Sequence, residues 1–129
     1  MVCYDKSNAA IETLKLAQQH AKVWNAELEV VHTLTREEPL KYEFIQQSEE
    51  KLEKEIKSII GDDDLSYNIH LFVTSLTPGE QLVNFAENQK VDQIFVGLTK
   101  TSKVGKFLFG STAQYVILHS PCPVLTCHI

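Results

Sequence analysis

Between residues 97 and 112 the chain reads Gly97-Leu98-Thr99-Lys100-Thr101-Ser102-Lys103-Val104-Gly105-Lys106-Phe107-Leu108-Phe109-Gly110-Ser111-Thr112. Gly97 follows an apolar strand pattern. A missing side chain there lets the backbone turn and approach a ligand. Gly110-Ser111-Thr112 opens a helix pattern. The free N–H groups and positive dipole end of a helix start form an anion site. The Ser111 and Thr112 hydroxyls add donors, or cap the helix. Lys100, Lys103 and Lys106 lie between these anchors, in a stretch without an acidic residue on a chain of net charge −5. These are the parts of a phosphate cradle, in an order that is not the Walker A order. The plainer reading of the lysines is a solvated loop face.

The other reactive side chains point to less chemistry. Asp5 ends the first strand pattern, where it either faces a ligand or caps the turn into the first helix. It is the only candidate general base near the predicted phosphates. The five histidines show no paired metal spacing, and only His32 lies near the predicted cleft mouth. Cys3, Cys122 and Cys127 sit in strand patterns, where buried thiols are usually inert. Asp62-Asp63-Asp64 reads as a solvated turn, since no calcium-loop spacing follows. No Ser-His-Asp arrangement is apparent. Catalytic residues and metal ligands are therefore not assigned, and at most slow turnover is expected.

Strand and helix patterns alternate along the chain to position these groups. Val2 to Tyr4 reads as a strand. Ser7 or Asn8 caps a helix whose inner stripe is Ala10, Leu14, Ala17 and Ala21, and Asn25 stops it. Leu28 to His32 is the second strand, and Thr33 to Pro39 reads as loop. A long helix runs from about Leu40 to Ile60, with Gly61 at its end. Asn68 to Val73 is the third strand. Thr77-Pro78-Gly79-Glu80 carries a capping box with Pro at the first helical position. Gln93 to Val96 is the fourth strand, Gly97 to Gly110 a loop, and Ser111 to His119 a helix stopped by Ser120-Pro121. Val124 to Cys127 is the fifth strand.

Strict alternation implies an α/β fold with a parallel sheet, helices on both faces and right-handed crossovers. Such sheets bind ligands outside the carboxyl ends of the strands, where the strand order reverses. Two five-strand orders are common, 2-1-3-4-5 and 3-2-1-4-5. Only the second brings Asp5, after strand 1, beside the loop after strand 4, so 3-2-1-4-5 is favoured.

The chain's 129 residues fit one domain, residues 1–129, with 43% apolar and 22% charged residues. No apolar run approaches the ~20 residues of a membrane span. Residues 1–10 carry no leader pattern. An odd cysteine count without a C-x-x-C pair fits a reducing, cytoplasmic setting. The acidic net charge argues against nucleic acid or an anionic membrane as a partner.

Val96 to Val124 resembles the C-terminal signature of the universal stress protein family. The ATP-binding branch of that family carries Gly-x2-Gly-x9-Gly-Ser/Thr. Gly97, Gly110 and Ser111 match at the right spacing, and Lys100 stands at the second glycine. The tail through Pro121, Cys122, Pro123 and Val124 also matches, as does the Asp5-Lys6-Ser7 opening as Asp-x-Ser. The resemblance implies a 3-2-1-4-5 sheet and ATP, or a related adenine nucleotide, in the cleft. By position, Asp5 would face the adenine and ribose, and Thr33, just after the second strand, would line the adenine pocket. Val96 and Gly97 would flank the ribose and phosphates. Thr99, Lys100, Gly110, Ser111 and Thr112 would meet the phosphates, with Mg²⁺ or Mn²⁺ bridging phosphate oxygens. The family also commonly dimerises through its last strand.

Two non-enzymatic functions follow from the resemblance, beside a third, a slow ATPase or nucleotide-dependent transferase. One is a nucleotide-regulated stress protein. The other is a nucleotide-independent homodimeric interaction module, favoured if the Lys100 side chain fills the phosphate space. ATP pyrophosphatase chemistry would need Ser-Gly-Gly-x-Asp-Ser after the first strand, and Tyr4-Asp5-Lys6-Ser7 stands there instead.

Overall fold

The computed structural model describes residues 1–35, 40–99 and 110–128. In chain order the elements are β1 (Val2–Cys3), α1 (Asn8–Trp24), β2 (Leu28–Thr35), α2 (Tyr42–Ile60), β3 (Tyr67–Thr74), α3 (Pro78–Asn88), β4 (Ile94–Leu98), α4 (Ser111–His119) and β5 (Val124–His128). The five strands form one parallel sheet in the order β3-β2-β1-β4-β5. This is the order expected from bringing Asp5 beside the loop after the fourth strand.

The central strands are apolar on both faces because helices cover both. Side chains alternate across the pleat. Val2, Val30 and Phe95 therefore pack with Leu14 of α1 and with Leu52 and Ile56 of α2. Cys3, Val31, Ile94 and Val96 pack on the other side with Leu82 and Ala86 of α3 and Val116 of α4. No described helix is long and apolar enough to cross a membrane.

Local signals fix the helix ends near the sheet. The Ser7 hydroxyl accepts from the Ala10 N–H at 3.1 Å, and Asn25 ends α1 at φ 51°. Thr77 and Glu80 form both halves of a capping box around Pro78. Every strand differs from the sequence reading in at least one bound, and three of the differences bear on the site. β2 continues to Thr35, because all eight of its residues pair with β3, so Thr33 lies in the strand opposite Phe72 rather than after it. β4 continues to Leu98, so Gly97 pairs with Cys127 and does not end the strand. β1 stops at Cys3 and excludes Tyr4.

Candidate functional site

β1 and β4 are neighbours whose chains leave in opposite directions, β1 through α1 to β2 and β4 through α4 to β5. The crossovers diverge there and leave a crevice at the carboxyl ends of the strands. A cavity of about 310 Å³ occupies it, and Asp5, Thr33, Val96, Gly97, Thr99, Gly110, Ser111 and Thr112 all line it. That volume falls at the low end of the roughly 300–1,000 Å³ typical of small-molecule sites. Lys100, Lys103, Lys106 and the apolar run Phe107 to Phe109 lie outside the described residues. The floor is apolar, with buried Cys3, Val31, Leu82 and Val96. The rim is polar. An apolar floor with a few convergent polar groups is the common character of a small-molecule site.

The β1 rim is a short turn. Asp5 Oδ1 accepts from the Ser7 N–H at 3.0 Å, and Ser7 in turn caps α1. Asp5 thus closes the turn and leaves helix capping to Ser7. Lys6 between them has φ 69°, a left-handed conformation that costs a non-glycine residue roughly 1 kcal/mol. The Tyr4 hydroxyl donates to Glu55 Oε1 of α2, and Lys6 Nζ lies 3.9 Å from Glu55 Oε2. One carboxylate of α2 therefore holds the residue that enters the turn and lies near the lysine at its centre.

The β4 rim combines two glycines that serve different ends. A Cβ on Gly97 would sit 2.8 Å from the Ala9 carbonyl carbon and 2.9 Å from Thr13 Oγ1. The missing side chain lets α1 press on β4, where sequence reasoning assigned it to a backbone turn toward a ligand. Gly97 still lines the cavity, but packing alone requires it to be glycine. Gly110 has φ −60° and open space where a Cβ would stand. It is the N-cap of α4, with no side-chain capping bond. Ser111, Thr112 and Ala113 follow as the first turn, and all three line the cavity. Their N–H groups precede the first helical bond, Gln114 N–H to the Gly110 carbonyl at 3.0 Å. They are the donors a helix start offers to an anion.

Sequence reasoning missed two contributors. Gly79 has its Cβ position 2.8 Å from Tyr115 Cβ, so α3 closes on α4 and brings Pro78 and Leu82 into the cavity wall. The Pro-Gly pair was legible as a helix start, but its contact with Tyr115 is long-range. His32 lies near the predicted cleft mouth, but no motif in the sequence gives it a role there. It lines the cavity, and its Nδ1 lies 2.7 Å from the Tyr4 carbonyl oxygen.

Two ionisable groups beside the cleft are held protonated. Burial pushes the Cys3 thiol up to about 12, so it is no nucleophile at neutral pH. Burial and the bond to Glu55 raise the Tyr4 phenol as well. Among the described residues no group of three or more His, Cys, Asp or Glu could hold a metal ion.

The universal stress protein family matches residues 1–128 of the chain. A solved universal stress protein from Archaeoglobus fulgidus is 32% identical with a TM-score of 0.82, the match covering 98% of this chain and 95% of that one. The structure of the universal stress protein from Archaeoglobus fulgidus in complex with dAMP is 29% identical, with a TM-score of 0.76 over 98% of this chain and 94% of that one. A universal stress protein of Thermus aquaticus is 28% identical over 130 residues, covering 97% of this chain and 94% of its own length. The fold, the cleft and these matches agree, and the chain belongs to the universal stress protein family.

Proposed function

We propose that residues 1–129 act as one domain that binds ATP, or a related adenine nucleotide, as a regulatory ligand. The observation that carries this reading is the convergence of Asp5, Thr33, Val96, Gly97, Thr99, Gly110, Ser111 and Thr112 on one cavity at the switch point of the sheet. The dAMP complex of a relative supports an adenine nucleotide as the class of ligand. Asp5 and Thr33 would take the base and ribose over the floor of Cys3 and Val31. Thr99 and the α4 start, Ser111 and Thr112, would take the phosphates, with Lys100 beside them. Mg²⁺ or Mn²⁺ would enter on the nucleotide's own phosphate oxygens, as hard cations do with phosphate ligands. Regulation follows if the nucleotide binds one state of the protein better than another, because a ligand shifts an equilibrium only by its differential affinity.

A nucleotide-independent homodimer is the second reading. β5 is an edge strand of the sheet, and a strand edge accepts a symmetric partner. Calorimetric titration with ATP and Mg²⁺ separates the two, run on the parent, Ser111→Ala and Lys100→Gly. Saturable binding weakened by Ser111→Ala supports the nucleotide reading. Binding gained only on Lys100→Gly means a blocked site. No binding in any version, with a dimer in sedimentation, leaves the interaction module.

A further inference from the structure

Parallel strands bond to a neighbour through alternate residues. In β1 the residues facing β2 are Val2 and Tyr4. The last rung between these strands is the Tyr4 N–H to the Val31 carbonyl, at 2.9 Å. The next rung would join the Thr33 N–H to the Tyr4 carbonyl. It is not formed among the described residues, because β1 has already left the sheet. A half-buried carbonyl at that place needs a donor, and His32 Nδ1 stands 2.7 Å from it. A carbonyl oxygen only accepts, so Nδ1 carries the hydrogen.

We infer that His32 is a positioning residue of the cleft: its Nδ1–H takes the Tyr4 carbonyl in place of the Thr33 amide. The substitution has two consequences. β1 turns away into the Asp5-Lys6-Ser7 rim without leaving a carbonyl unpaired. The Thr33 N–H, on the β1 side of β2, is left for an acceptor on whatever occupies the cavity. One imidazole thereby widens the cavity on its β2 side and supplies it with a backbone donor. The inference rests on the nucleotide reading for the identity of the ligand, and not for the geometry of the turn.

The test uses His32→Asn, His32→Gln and His32→Leu in the full chain. The Asn amide reaches the place of Nδ1, the Gln amide that of Nε2, and Leu removes the donor. Imidazole nitrogen shifts in the ligand-free parent are expected to show the Nδ1–H tautomer. Exchange of the Ser7 amide, which Asp5 holds, is expected to speed up in His32→Leu and His32→Gln and to stay slow in His32→Asn. ATP affinity is expected to fall about tenfold in the Leu and Gln variants, the scale of one lost half-buried hydrogen bond, and to stay within about threefold in Asn. An Nε2–H tautomer overturns the inference, as does Ser7 exchange that is the same in Asn and Gln. If the parent binds no ATP, the functional reading fails, while the tautomer and exchange results still decide this one. If Leu does not fold, the Asn and Gln pair carries the comparison.

Discussion

The two ends of this sheet hold cavities of opposite character. At the amino ends of the strands lies the larger one, about 760 Å³, lined by His20, Trp24, Glu27, Glu29, Lys90 and Asp92 among others. At the carboxyl ends lies the smaller, about 310 Å³, lined by Asp5, Thr33, Gly97 and the α4 start. Volume alone would choose the first. Helix direction chooses the second, because in a parallel βα sheet each helix begins where its strand ends, at the carboxyl end of the sheet. The larger cavity lies at the closing ends of α1 and α3, where helix dipoles are negative, and its carboxylates Glu27, Glu29 and Asp92 outnumber its lysine, Lys90. A phosphate would be repelled there and attracted at the other end. For an anionic ligand, electrostatics and topology outweigh size.

The largest expected effect probes what holds the smaller cavity in shape. Gly97→Ala places a methyl group against the Ala9 backbone, which cannot give way as a side chain would. It should lower stability by about 2–3 kcal/mol in urea unfolding. Gly110→Ala, into open space, should change it by less than about 0.5 kcal/mol. Equal effects would mean that α1 does not press on β4 as described. Next comes the ligand itself. Ser111→Ala should weaken ATP binding about tenfold, while His20→Ala at the opposite end leaves it unchanged. The reverse outcome would move the site to the larger cavity.

A smaller effect tests the floor. The Cys3 thiol titrates near 12 when folded and near 9.0 when free. The unfolded chain therefore loses that proton first as pH rises, and stability is lost above pH 9 and unaffected below it. The loss between pH 7 and pH 10 should be about 1 kcal/mol. Tyr4 adds to it in the same direction, because its phenol is also raised. Comparison with Cys3→Ala isolates the thiol, and an unchanged slope in that variant would contradict a buried, protonated Cys3. The smallest effect concerns the α3 start that walls the cavity. Thr77→Ala removes the cap on the Glu80 N–H and should cost about 0.5–1 kcal/mol. Unchanged stability and unchanged amide exchange at Glu80 would show the capping box to be idle.

Local chemistry was legible in the sequence, and close approach was not. The α4 bounds, the Thr77 capping box and the Asn25 stop follow from neighbours within one turn, and all appear where expected. The strand order followed from requiring Asp5 to meet the loop after the fourth strand. Gly97 misled because its purpose lies in Ala9 and Thr13, about ninety residues away, and a glycine does not announce which neighbour it makes room for. Thr33 belongs to a Thr-Leu-Thr run that looks like loop by its polarity, whereas pairing with β3 holds it extended within β2. The left-handed Lys6 carries no sequence signal, since lysine does not favour that region. The bond from His32 depends on where β1 leaves the sheet, which no local pattern records.

The most direct test of the central claim is amide-resolved NMR titration with ATP and Mg²⁺. Saturable shifts are expected at Thr33, Gly97, Ser111 and Thr112, with Glu27, Lys90 and Asp92 unmoved. Shifts confined to the amino end of the sheet, or none at saturating ATP, would contradict the claim.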